Sequence, residues 1–185
     1  MRASRILVTA LMAVILPAVP PAHADDTGSL ADLVDVAAQR LQAADPVAAS
    51  KWLNGGPITD PARVRQVLAD VAAAAESAGV PSSYATAVFT DQINATEAIQ
   101  YSRFAGWKLD PATAPASAPD LSASRTLIDE LNREMVAEIA RGLPTLNGPG
   151  CVATLASAKD SVALQRALDP LYRQALDTAT RSYCG

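Results

Sequence analysis

Proline and glycine divide this chain into stretches whose apolar residues return every three or four positions, and no β-branched run alternates with period two. That pattern restricts the fold to packed helices, because each apolar stripe has to be buried against another. A first helix is expected over residues 30–53. Inside it, Asp45-Pro46 either kinks the helix or restarts it, with Asp45 as N-cap and Pro46 at the first helical position. "NGGP" (54–57) is a turn. A second helix is expected over 60–78, with Asp60 as N-cap and Pro61 behind it. "GVPSS" (79–83) breaks it, and a third helix covers 83–105. "DPATAPASAP" (110–119) is a connector without a stripe. A fourth helix over 121–141 carries Leu121, Ile128, Leu131, Met135 and Ile139 on one face. "GLPTLNGPG" (142–150) reads as a loop, and 151–183 as helix, interrupted near Asp169-Pro170. The expected fold class is all-α: a single-domain helical bundle of five to six helices around one core.

The first 24 residues read differently. Arg2 and Arg5 precede an apolar run from Ile6 to about Val19, and Ala22-His23-Ala24 supplies a small-residue cleavage site. This is the pattern of a cleaved export signal. The run is short for a membrane span and contains Pro17 and Pro20. Residues 1–24 are therefore expected to be removed, leaving 25–185 as one secreted or periplasmic domain without a membrane attachment.

Cleavage changes the chemistry available. His23 is the only histidine, so the mature chain has none. Its two cysteines, Cys151 and Cys184, form an even pair in an exported protein and are expected to make one disulfide. No Ser-His-Asp or Cys-His arrangement is possible, and no glycine-rich phosphate loop is present. With 15 Lys and Arg against 19 Asp and Glu in the whole chain, nucleic acid is not an expected partner. An enzyme built from this inventory has to work without a cofactor, a histidine or a thiolate.

One stripe is unusual. On the helix through "DQINATEAIQYSRF" (91–104), Phe89, Ile93, Thr96 and Gln100 fall within about 60° of one another. A hydroxyl and an amide thus share a face that should be buried, and a buried amide needs several partners. Arg40 and Lys51 lie eleven residues apart, about 20° from alignment on one face if the Pro46 kink is mild. Asp60 and Arg63 are neighbours in the first turn of the second helix. Arg125 lies about 60° from the apolar stripe of the fourth. Four helices could each direct a polar group into one cavity. Singly, each has a plainer reading: Arg40, Lys51 and Arg125 as solvated charges, Asp60 as a cap with Arg63 as its ion-pair partner, and Thr96 bonded back to a carbonyl one turn earlier.

The strings "DPVAASKW" (45–52), "DQINATEAIQYSRFAGWKL" (91–109) and "PDLSASR" (119–125) resemble the secreted chorismate mutases of bacteria, the exported gamma subclass of the all-helical AroQ type. The likeness covers nearly the whole mature chain, the cysteine pair included. It implies the Claisen rearrangement of chorismate to prephenate, a unimolecular reaction needing no nucleophile, base, metal or cofactor. It also implies a homodimer, with each active site inside one protomer. By resemblance, Arg40 and Arg125 bind the substrate carboxylates, and Arg63 lies near the enolpyruvyl carboxylate. Lys51 donates to the ether oxygen, Asp60 binds the ring hydroxyl, Thr96 lies near a carboxylate, and Gln100 is the second donor to the ether oxygen. Two positions depart from the pattern: Gln100 replaces a common Glu, and Val67 stands where relatives carry Gln. A competing reading is a non-catalytic exported helical protein that binds a small anion or a protein partner. Retention of all four basic positions argues against it.

Overall fold

The computed structural model describes residues 30–185; the expected signal peptide lies outside the described residues. Seven helical segments follow in order: α1 (Ala31–Gln42), α2 (Ala44–Asn54), α3 (Pro61–Ser77), α4 (Ser82–Leu109), α5 (Leu121–Leu146), α6 (Cys151–Gln165) and α7 (Pro170–Ala179). A single 3₁₀ turn, Pro111–Thr113, interrupts the connector between α4 and α5. Because α1 and α2 are one rod bent at Ala43, the bundle has six rods among the described residues. None of these helices is long and apolar enough to cross a membrane.

Aspartates set three of the starts. Asp60 Oδ1 accepts from the Arg63 N–H at 3.0 Å, Asp120 Oδ1 from Ser122 at 3.1 Å, and Asp169 Oδ1 from Tyr172 at 2.9 Å. Each satisfies one of the backbone donors that a helix start leaves open. Asp45 does otherwise. Ala43 keeps helical backbone angles and no side chain caps α2, so the Asp45-Pro46 pair bends the rod instead of restarting it. The Asp45 carboxylate is instead forked by Arg103 of α4, Nε to Oδ1 at 2.7 Å and Nη2 to Oδ2 at 3.2 Å. Trp52 packs edge-on against Phe104 and Trp107, with centroids 5.1 and 5.5 Å away. These contacts fix α2 on α4.

The fourth expected helix is longer than its stripe suggests. It continues through Pro144 to Leu146, leaving a loop only from Asn147. A proline inside a helix costs about 3 kcal/mol and one hydrogen bond. Burial of Leu146, which is wholly inaccessible, returns about 1.5–3 kcal/mol and holds the last turn in register.

The core lies along α1 and α4. Leu41, Phe89, Ile99, Met135 and Ile139 are fully buried in it. α4 packs against α2, α3 and α7, and α1 against α5, α6 and α7. Cys151 at the start of α6 is bonded to Cys184 at the tail. This draws the fully buried Tyr183 against the bundle, where its carbonyl accepts from the Tyr84 hydroxyl at 2.5 Å. Between α1–α2, α3, α4 and α5 the packing leaves a cavity lined by charged and polar side chains.

Candidate active site

All eight positions singled out in the sequence line that one cavity: Arg40, Lys51, Asp60, Arg63, Val67, Thr96, Gln100 and Arg125. Arg40 sits in the last turn of α1 and is 4% exposed, so it is no surface charge. Its Nε donates to Asn132 Oδ1 at 2.7 Å and its Nη1 to Thr96 Oγ1 at 3.2 Å. The Thr96 hydroxyl donates in turn to the Gln92 carbonyl, one turn back, at 2.8 Å. Lys51 closes α2. Its Nζ donates to the Ile58 carbonyl at 2.7 Å and to Gln100 Oε1 at 3.1 Å. Gly55, with a φ of 74°, takes the left-handed angle that lets the chain turn back over Lys51.

The Lys51–Gln100 contact orients the amide. An ammonium has only donors, so the amide oxygen must face it and the NH₂ must face away. One of those hydrogens has a long contact, 3.4 Å, to the Thr96 carbonyl; the other remains for a ligand. Two of the three Lys51 donors are engaged and one is left. Lys51 and Gln100 thus present two N–H groups side by side.

Asp60 is the cap the sequence predicts, but Arg63 is not its ion-pair partner. Only the Arg63 backbone reaches Asp60; its guanidinium crosses to α5 and meets Asp129 Oδ1 at 2.5 Å. Arg125, at the start of the second turn of α5, is exposed, lines the cavity, and makes no hydrogen bond to a described residue. Val67 is buried and contributes only packing, as do Val47, Ile93 and the side chain of Ile58.

The electrostatics favour an anionic ligand. Among the described residues, Arg40, Lys51 and Arg125 have no carboxylate at ion-pair distance, and only Arg63 does. Burial pulls the Arg40 pKa down to about 10, with the Arg63 charge adding to the effect. It lowers Lys51 too, against the opposing charges of Glu97 and Asp60. Arg40 therefore stays protonated at neutral pH as a desolvated cation, the state an incoming carboxylate relieves. The Asp60 carboxyl is held below its usual range chiefly by the Arg63 N–H, so it remains an acceptor.

A secreted chorismate mutase of Mycolicibacterium smegmatis is 56% identical to this chain over 89% of its length and 91% of the relative's. The chain belongs to the chorismate mutase family. A secreted chorismate mutase of Mycobacterium tuberculosis is 51% identical over 98% of the chain and 92% of that relative. The sequence model of the family, chorismate mutase type II, matches residues 31–101. That span holds every candidate position except Arg125. The crystal structure of a chorismate mutase from Burkholderia thailandensis superposes with a TM-score of 0.81 at 36% identity, covering 86% of this chain and all of that one. Membership makes the protein an isomerase and accounts for an all-α bundle with its polar cavity between helices.

Two polar neighbours escaped the sequence reading. Asn132 and Asp129 hold Arg40 and Arg63 from α5. A partial signal existed: Arg125, Ile128 and Asn132 follow at i, i+3 and i+7, the same kind of polar interruption that marks Thr96 and Gln100.

Proposed function

We propose that this cavity binds chorismate as its dianion and rearranges it to prephenate, with the eight residues singled out in the sequence in the roles their chemistry suits. In this [3,3] rearrangement the ether C–O bond breaks as a C–C bond forms, and no atom is gained or lost. The protein has two tasks. It holds the flexible dianion with its reacting ends together, and it stabilises negative charge growing on the ether oxygen. Arg40 and Arg125 take the carboxylates, for which a planar fork is suited. Arg63 lies at the enolpyruvyl carboxylate, and Asp60 accepts from the ring hydroxyl. Thr96 holds Arg40, and Val67 packs against the substrate. Lys51 and Gln100 donate together to the ether oxygen.

The observation that carries this reading is the Lys51–Gln100 pair, two adjacent donors between cations that lack carboxylate partners. Residues 1–24 act as an export signal, 25–185 form the enzyme outside the cytoplasm, and two copies pair as a homodimer. The test is the loss of chorismate absorbance on adding purified protein, in chelator and without any nucleotide. Turnover is expected in full under those conditions. Turnover that disappears on exhaustive chelation and returns with a metal would overturn the mechanism.

A further inference from the structure

Two arginines of the cavity are held from the same face of α5 in opposite ways. Arg63 meets a carboxylate, Asp129; Arg40 meets an amide, Asn132. Asp129 and Asn132 stand at i, i+3, so one helix face presents both. The Arg63–Asp129 pair is partly solvated, with 22% and 42% of the side chains exposed. The Arg40–Asn132 pair is dry, at 4% and 8%. A dry guanidinium without a carboxylate is costly to keep. Aspartate, which has the shape of asparagine, would lower that cost at once, yet an amide stands there.

The hydrogen bonds show what the amide preserves. Of the five guanidinium N–H groups, Nε is taken by Asn132 and one Nη1 donor by Thr96, both neutral acceptors. The other Nη1 donor and both on Nη2 have no acceptor among the described residues, and Arg40 lines the cavity. The fork is fixed from behind by neutral acceptors, and no carboxylate of the described residues lies at ion-pair distance from it; Asp129, paired with Arg63, acts on it only from farther away.

We propose that Asn132 is a positioning residue whose neutrality is its function: its amide oxygen pins Arg40 through Nε and leaves the full guanidinium charge for a carboxylate of the substrate. This rests on the assignment of Arg40 to a carboxylate of chorismate. An aspartate in its place would be an internal competitor for that charge.

The experiment compares Asn132→Asp, Asn132→Ala and the parent by thermal unfolding and by steady-state kinetics on chorismate. Asn132→Asp is expected to unfold at or above the parent's Tm while its KM rises tenfold or more, with kcat changed less. Prephenate should inhibit it correspondingly less. Asn132→Ala should unfold below the parent, with KM raised several-fold. A residue with only a structural role could not move stability and substrate binding in opposite directions. A folded Asn132→Asp with KM within twofold of the parent would overturn the proposal. So would an Asn132→Asp that unfolds below the parent, and so would an Asn132→Ala with unchanged KM. If the parent itself does not act on chorismate, the proposed function fails; the order of the three Tm values still decides whether Asn132 leaves Arg40 uncancelled.

Discussion

Gln100 gives its oxygen to Lys51 and keeps its NH₂ for the cavity, and an amide does this at any pH. Replacing it by glutamate makes donation conditional. A glutamic acid at this position donates only while protonated; above its pKa it is an anion facing an oxygen that is itself gaining negative charge. The parent is therefore expected to show a nearly flat kcat between about pH 5 and 8, since the other donors are Lys51 and arginines, whose ordinary pKa values lie well above that range. Gln100→Glu should be active at low pH and slow as pH rises through the new carboxyl's pKa. Burial and the nearby Glu97 and Asp60 raise that pKa, while Lys51, Arg40 and Arg125 lower it. Gln100→Ala should be slow at every pH. The check is kcat against pH for the three proteins, with folding verified at each point by circular dichroism. A Gln100→Glu variant as flat and as fast as the parent would show that the amide does not reach the ether oxygen.

At the scale of elements, the tail is held by chemistry separate from the cavity. The Cys151–Cys184 bond closes a loop with a sequence separation of 33. On the chain-entropy account this contributes about 3–4 kcal/mol, or roughly 6–16 °C of Tm in a domain of this size. Neither cysteine lines the cavity. Reduction should therefore lower Tm by about that amount while most room-temperature activity survives; a calorimetric scan and a rate, with and without reductant, measure both. Equal loss of both would tie the tail to catalysis, through Tyr183. The helices themselves were largely legible, because capping aspartates and apolar stripes are local signals. Two details were not. The stretch 142–150 reads as a loop, but Leu146 within it is buried, and tertiary burial outweighs the local cost of Pro144. Asp45-Pro46 is compatible with either a kink or a fresh helix start, and what decides for the kink is distant: Arg103, 58 residues away, takes the carboxylate. The candidate site divides in the same way. Thr96 and Gln100 were visible because each interrupts a stripe on its own helix. The roles of Asn132 and Asp129 depend on which arginines α1 and α3 bring to α5, and no local pattern carries that.

The molecule as a whole is acidic, with a net charge of −4 over the full chain, yet its cavity gathers four basic side chains from α1, α2, α3 and α5. Recognition of a dianion is thus a local property, set by how four helices converge, and not a property of net charge. The same convergence places the two free donors of Lys51 and Gln100 together. The account's central claim is that these donors stabilise the transition state and do not merely hold the substrate. The most direct measurement is the kcat of Lys51→Ala on chorismate at saturation, beside the parent, with the fold confirmed by circular dichroism. The account predicts a fall of roughly 10²–10³-fold or more, the scale of losing a donor to developing charge. A folded Lys51→Ala that turns chorismate over at the parent's kcat would contradict it.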